Sequence, residues 1–115
     1  MKGKDIIILK KILKYCKEID ETCGHFGNRY QEFASNFIFF NACCMCILQI
    51  GELCKNISED LKIEEPEIPW KSWCGIRDVF AHQYANVDYE IAWDTIQTDI
   101  PILRYRVEKI LDTDQ

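Results

Sequence analysis

Apolar residues recur at intervals of three and four positions along most of this chain, which is the spacing of amphipathic α-helices. The first series predicts a helix over residues 5–22 that stops at a glycine-containing breaker, with Gly24 just beyond the helix. The second series predicts a much longer helix over about residues 30–61. Its apolar positions are Phe33, Phe37, Phe40, Cys44, Ile47, Ile50, Cys54 and Ile57.

The second half of the chain predicts shorter helices. Residues 64–69 form an acidic linker, and Pro69 suits the first turn of a third helix. Residues 86–87 predict a turn, after which Asp88 is placed to N-cap a fourth helix that runs to about residue 98.

The C-terminal segment leaves two alternatives open. Either Asp99 caps a fifth helix with Pro101 in its first turn, or Pro101 kinks one continuous helix. In both cases an apolar seam follows, formed by Ile96, Ile100, Leu103, Val107, Ile110 and Leu111. With short connections throughout and no predicted strand, the fold class is all-α, an antiparallel bundle of four to five helices.

Two neighbouring residues inside the long second helix are unusual for their positions. Gly51 costs a helix roughly 1 kcal/mol relative to alanine, so its presence predicts the close approach of another backbone. Glu52 follows at once among apolar residues. It is either a buried partner for Arg77 or a solvent-facing carboxylate.

Composition bounds the class of protein. With 115 residues, 48% of them hydrophobic and 29% charged, the chain is expected to form one ordinary globular domain over residues 1–115. A net charge of −5 argues against broad nonspecific binding of nucleic acid, although it allows a small local phosphate site. A lysine run at the N-terminus is either a solvated helix face or a surface for RNA or an acidic partner: Lys2, Lys4, Lys10, Lys11, Lys14 and Lys17.

The expected compartment is the cytoplasm. The apolar runs of residues 1–17 are too short for a signal peptide, and no segment has the roughly 18 uninterrupted apolar residues of a membrane span. The seven cysteines fall mostly at core-like positions, where reduced thiols behave as small apolar side chains. A zinc site is the alternative, built from Cys16, Cys23 and His25 or from Cys44 and Cys46, but no C-x2-C pair supports it.

The densest group of reactive side chains is Arg77, Asp78, His82 and Tyr84. A guanidinium binds phosphate through two hydrogen bonds, and an imidazole moves protons near neutral pH. Asp78 and His82 are four residues apart and share a helix face, whereas Arg77 and His82 are separated by roughly 140° around the axis. A common site therefore needs a helix that bends or ends near His82, or a second copy of the chain. Otherwise these four residues form part of a helix–helix contact in which Arg77 pairs with a carboxylate.

The sequence around these four residues resembles that of a known family. Residues 75–84 read Gly-Ile-Arg-Asp-Val-Phe-Ala-His-Gln-Tyr, and they are followed by Val87-Asp88, Trp93 and Asp99-Ile100-Pro101. At these intervals the chain resembles the HEPN superfamily (higher eukaryotes and prokaryotes nucleotide-binding), and within it the HepT-like toxins with their Arg-x4-His-x-Tyr signature. The resemblance covers about residues 40–111, and includes Ile50-Gly51-Glu52, Lys55 and Ile57-Ser58-Glu59.

The resemblance implies a HEPN-like bundle that forms a homodimer, with an endoribonuclease site in a cleft between the two copies. It implies cleavage of RNA without metal or cofactor, through attack of the ribose 2′-OH on the neighbouring phosphate. By the same resemblance His82 is the acid–base, and Arg77 holds the scissile phosphate and stabilises developing charge. Asp78 and Glu52 are expected to support these two residues.

The resemblance further implies a type VII toxin–antitoxin pair. The cognate antitoxin is then an MntA-like nucleotidyltransferase that attaches AMP to the tyrosine of the signature, here Tyr84. Tyr84 follows Arg77 by seven positions, which places both on one helix face, so an added phosphate would occupy the site of the RNA phosphate.

Asp78 departs from the pattern, because many relatives have asparagine after the arginine. Its charge would repel an RNA phosphate and raise the pKa of His82. The alternative function is therefore a catalytically silent HEPN module that binds a nucleotide or partners a nucleotidyltransferase.

Overall fold

The computed structural model describes residues 1–83 and 86–113, with only the backbone of His82 and Gln83. Within these ranges the regular elements are all helical and no strand is present, which confirms the all-α prediction. The helices are α1 (Gly3–Phe26), α2 (Tyr30–Ser35), α3 (Phe37–Lys55), α4 (Glu59–Glu64), α5 (Trp70–Gln83), α6 (Tyr89–Asp94) and α7 (Ile100–Thr113), with a π-helical turn at Thr95–Asp99.

Helix α3 lies at the centre of the bundle, with α1 and α5 packed against it. Its inward residues are fully buried, among them Phe39, Ile47 and Ile50. This helix of 19 residues is long and apolar enough to cross a membrane by length and composition, with a mean hydropathy of 1.8 over its most apolar 18-residue stretch. Half of that stretch is buried inside the bundle, a pattern that a core helix also produces.

The predicted single helix over residues 30–61 is wrong, because two side-chain caps divide it. The Asn36 carboxamide accepts hydrogen bonds from the backbone N–H groups of Ile38 and Phe39, at 3.0 and 3.3 Å, and begins α3. Ser58 begins α4 in the same way, since its hydroxyl accepts from the Leu61 N–H at 3.2 Å. Both residue types favour N-caps, and a cap interrupts the backbone ladder even where apolar spacing continues.

A buried carboxylate ties the start of α1 to the second of these caps. Asp5 is 1% exposed, and it accepts from the Ser58 N–H at 2.9 Å and from the Ser58 hydroxyl at 2.5 Å. Lys2 adds an exposed ion pair with Asp60 at 3.6 Å. The beginning of α1 and the end of α3 therefore lie at the same end of the bundle.

Two helix ends differ in detail from the sequence prediction. Helix α1 continues past Gly24 and stops at Gly27, whose φ of 96° lies in the region that glycine adopts without strain. Pro101 lies in the first turn of α7, and the chain is helical without a break before it, as in the alternative of one continuous helix. The residues just before α7 form the π-helical turn. Proline lacks an N–H and its ring crowds the carbonyl four residues back, and the wider turn accommodates both effects. The N-cap at Asp88 is confirmed, since its carboxylate accepts from the N–H groups of Glu90 and Ile91.

Candidate active site

The backbones of α3 and α5 approach closely at Gly51. A Cβ atom at this position would lie 2.5 Å from the Cβ of Arg77 and 2.7 Å from the carbonyl oxygen of Trp73. Real Cβ atoms do not come this close to other heavy atoms, so only glycine fits without a shift of α5. The prediction of a close backbone approach is confirmed. The contact holds the backbone of Arg77 against α3.

A cluster of four charged side chains surrounds this contact, two from each helix. The Arg77 Nε donates to Glu52 Oε2 at 2.5 Å, and Nη1 donates to Asp78 Oδ1 at 3.1 Å. The ammonium of Lys55 lies 3.9 Å from the same Asp78 oxygen. The hydrogen bonds to Asp78 and Glu52 raise the pKa of the Arg77 guanidinium, so Arg77 is charged at every physiological pH.

Of the two interpretations of Glu52, pairing with Arg77 is confirmed, but burial is wrong. The Glu52 side chain remains 47% exposed, whereas that of Arg77 is 27% exposed. The pair lies at the protein surface, where water screens it, so its role is orientation of the guanidinium more than stability of the fold. Lys55 was missed as a member of the cluster, although its position three residues after Glu52 puts both on one helix face.

The last turn of α5 carries His82. Because α5 is helical through Gln83, Asp78 and His82 share one face, and Arg77 and His82 are separated by roughly 140° around the axis. The side chain of His82 lies outside the described residues, as does Tyr84. The pairing of Asp78 with the imidazole and the alignment of Tyr84 with Arg77 therefore stay predictions.

An open groove runs beside the last turns of α5. It has a volume of about 450 Å³ and lies between α3 and α5. Its lining is mostly apolar and consists of Asn41, Cys44, Met45, Leu48, Phe80 and Ala81. Ala81 directly precedes His82, so the groove adjoins the candidate site. Met45 in this lining is exposed, as are the apolar side chains of Phe37, Ile38 and Val79 on the same two helices.

The cysteines behave as buried apolar residues. Six of the seven are buried and Cys74 is partly exposed, which confirms the core positions expected from the sequence. Burial raises the pKa of Cys16 and of Cys44 to about 12, so neither thiol ionises near neutral pH. His25 is exposed and lies in the last turn of α1. Among the described residues no group of three or more His, Cys, Asp or Glu side chains is arranged to hold a metal ion.

Comparison with known proteins places the chain in a family. The family model Ribonuclease HepT-like matches residues 12–110. Putative RNase MJ1216 of Methanocaldococcus jannaschii is 36% identical over 112 residues, which are 96% of this chain and 91% of that protein. Putative RNase TTE0752 of Caldanaerobacter subterraneus subsp. tengcongensis is 31% identical over 107 residues, covering 93% and 94% of the two chains.

A third relative matches a shorter segment with higher identity. Probable ribonuclease HepT of Thermococcus cleftensis is 44% identical over 61 residues, which are 53% of this chain and 56% of that protein. No solved structure matches the chain significantly. The family match spans most of the sequence, including the whole of α3 and α5 with the Gly51 contact and the charge cluster. This chain belongs to the Ribonuclease HepT-like family of the HEPN superfamily.

Proposed function

We propose that this protein is a metal-independent endoribonuclease that uses Arg77 and His82. The observation that carries the proposal is the position of Arg77, held by Gly51 and Glu52 on the helix that also bears His82, next to an open groove. The family and the names of its relatives support the same activity.

The proposed reaction is a transesterification within the RNA strand. The ribose 2′-oxygen forms a bond to the adjacent phosphorus, and the bond from phosphorus to the 5′-oxygen breaks. The products are a 2′,3′-cyclic phosphate and a free 5′-hydroxyl. One imidazole accepts the 2′-OH proton and one donates a proton to the leaving oxygen, while a guanidinium stabilises the negative charge on the phosphoryl oxygens.

A homodimer would supply all the groups that this reaction needs. The reaction needs a base at one oxygen and an acid at the other, and the motif supplies one histidine per chain. The roughly 140° between Arg77 and His82 also prevents both side chains of one straight helix from converging on one phosphate. Two copies of α5 that face each other across a groove supply both imidazoles and bring a guanidinium to the phosphate.

The apolar groove between α3 and α5 supports this dimer. Met45, which lines the groove, and Ile38 and Val79 on the same two helices are about half exposed. Apolar groups clustered on a surface mark interaction sites, and a second copy would cover them while leaving Arg77 at the seam.

The test is cleavage of a defined single-stranded RNA by purified protein in EDTA. The wild type is expected to cut, whereas Arg77→Ala and His82→Ala each abolish cutting while both variants remain dimeric by light scattering. Lys71→Ala, a cation on the first turn of the same helix, is the matched control and keeps full activity. Undiminished cleavage by both motif variants would refute the assignment.

We also propose that the protein is the cytoplasmic toxin of a type VII toxin–antitoxin pair, and that an MntA-like nucleotidyltransferase neutralises it by AMPylation of Tyr84. The support is the His-x-Tyr spacing of the family signature. The Tyr84 phenol oxygen would attack the α-phosphate of ATP and release pyrophosphate. Co-expression with such an enzyme should add one or more AMP units to Tyr84, detectable by mass spectrometry, and should remove the toxicity of the protein to the host cell. Neutralised protein without AMP on Tyr84 would refute this part alone.

One observation favours the second candidate function, a catalytically silent module that binds a nucleotide or a nucleotidyltransferase. Glu52 and Asp78 both accept hydrogen bonds from Arg77, so two of the five N–H donors of the guanidinium are already engaged. RNA that stays intact with the wild-type dimer in EDTA would support this candidate against the nuclease.

A further inference from the structure

Positive charge is concentrated in one short segment of an otherwise acidic chain. Six of the 14 Lys and Arg residues are lysines between positions 2 and 17, where Asp5 is the single acid, so the remainder holds 8 basic and 18 acidic residues. Asp5 is buried against Ser58 and does not offset the lysines at the surface. The first four turns of α1 are therefore a cationic surface on a protein of net negative charge, and Glu18, Asp20 and Glu21 follow in the last turns.

Five of these residues form one face of α1, here named the lysine face: Lys4, Lys10, Lys11, Lys14 and Lys17. All five are exposed. At 100° per residue they fall within an arc of about 140°, opposite the buried side that contains Ile12 and Cys16. At 1.5 Å per residue the face is about 20 Å long, which matches about six nucleotides of a stacked strand at 3.4 Å each.

Few charges of this face are paired within the protein, although Glu18 and Glu21 follow on the same side of α1 and line one surface depression with Lys10, Lys14 and Lys17. In the described part of the chain only Lys14 of the five has a carboxylate within ion-pair distance, Glu18 at 3.6 Å. Lysines four apart, such as Lys10 and Lys14, repel each other on a helix surface. The face thus weakens its own helix, and a polyanion that neutralises it would remove that repulsion.

We propose that the lysine face binds the sugar–phosphate backbone of RNA, as a docking surface separate from the candidate site that contains Arg77 and His82. The proposal deepens the proposed ribonuclease function and rests on it for the choice of RNA over an acidic protein. The candidate site has little free cationic charge of its own, since Glu52 and Asp78 pair with Arg77 and Asp78 also faces Lys55. Attraction of a polyanion to this protein must then come from another surface.

The fold places the two surfaces so that one strand can reach both. Asp5, in the first turn of α1, contacts Ser58, which follows Lys55 by three residues. The Lys4 end of the lysine face therefore lies at the same end of the bundle as the cluster of Lys55, Asp78 and Arg77. An RNA strand that follows α1 toward its N-terminus would arrive beside the candidate site.

The test measures binding and cleavage separately. The variant Lys10→Gln, Lys11→Gln, Lys17→Gln breaks no ion pair among the described residues. Its matched control, Lys71→Gln, Arg106→Gln, Lys109→Gln, removes three exposed cations from other helices. Both sets are placed in a His82→Ala background, and the Kd for a labelled single-stranded RNA of about 12 nucleotides is measured by fluorescence anisotropy at several salt concentrations.

In the lysine-face variant the Kd is expected to rise between about tenfold and 100-fold at 0.1 M salt. The slope of log affinity against log salt falls by about 2, because each phosphate contact on single strands contributes about 0.7. The control set stays within about twofold of its parent in Kd. With His82 restored, the lysine-face variant shows a raised KM for RNA cleavage and a nearly unchanged kcat.

Three results would overturn the proposal: an equal loss of affinity in both sets, no loss in either set, or lysine-dependent binding of polyglutamate without binding of RNA. The last result would assign the face to an acidic protein partner. Failure of the proposed nuclease is a distinct outcome, because binding is measured in a cleavage-incompetent background. Absent cleavage by the wild type with lysine-dependent RNA binding would refute the nuclease and uphold the docking surface.

Discussion

Replacing Gly51 with alanine tests whether the contact between α3 and α5 positions Arg77. The new methyl group would lie 2.5 Å from the Arg77 Cβ and 2.7 Å from the Trp73 carbonyl oxygen. Normal carbon–carbon contacts are about 3.5–4.0 Å, so α5 must move by roughly 1 Å at this point. The atoms involved are backbone or directly attached to it, and no flexible side-chain end can give way.

The expected loss of stability follows from two opposed effects. Overpacking a closely packed helix contact costs about 1–3 kcal/mol, whereas alanine in place of glycine in a helix gains about 1 kcal/mol. Gly51→Ala should therefore lower the free energy of unfolding by up to about 2 kcal/mol. At about 4 °C per kcal/mol for a domain of this size, the Tm falls by up to about 8 °C. Displacement of Arg77 by 1 Å should reduce RNA cleavage by about 100-fold.

Gly75→Ala is the matched control on α5 itself. A Cβ at Gly75 meets nothing within 4 Å, so this variant should gain about 0.5–1 kcal/mol from helix propensity alone and keep its activity. Urea unfolding and a cleavage assay on both variants decide the matter. If Gly51→Ala is as stable and as active as Gly75→Ala, the contact does not position Arg77 and the reasoning fails.

Three further predictions concern other parts of the molecule. Asp78→Asn removes a carboxylate from Arg77 and should lower the KM for RNA by at most about fivefold, because the ion pair is exposed to solvent. A raised KM would contradict this. Asp5→Ala removes both hydrogen bonds that the partly buried Ser58 donates to this carboxylate, and it should lower the free energy of unfolding in urea by about 2–3 kcal/mol. A loss below about 0.5 kcal/mol would show that the contact is dispensable. Burial raises the pKa of the Cys16 thiol to about 12. Folding therefore favours the neutral thiol, and this contribution to stability is fully present below pH 9. It is lost as the pH rises from 9 towards 12. A pH titration of Tm checks this, and in native protein at pH 7.5 Cys74 should react first with a thiol reagent.

The apolar spacing was enough to predict the helical class and the centre of each long helix, but not where the helices divide. Phe33 and Phe40 keep the helical interval across Asn36, and both are buried, so the pattern of the core gives no sign of the break. The sign was the Asn36 side chain itself, a strong N-cap residue inside an apparently continuous helix. The π-helical turn before Pro101 was not predictable, because a proline can also end a helix or kink it.

The candidate site was predictable where a residue type has one main structural use. Gly51 in mid-helix indicated a close contact, and the contact is with the backbone of Arg77. Periodicity could not decide whether Glu52 was a partner of Arg77, because a charged residue near the edge of an apolar face can point either way. Lys55 was missed for a different reason: its partner Asp78 lies on another helix, and pairing between helices depends on their packing.

The most direct test of the proposed ribonuclease is analysis of the RNA ends that the wild-type protein produces in EDTA. The mechanism predicts 2′,3′-cyclic phosphate and 5′-hydroxyl ends from the wild type and none from His82→Ala or Arg77→Ala. Intact RNA from the wild-type protein, or the same ends at the same rate from both variants, would contradict it.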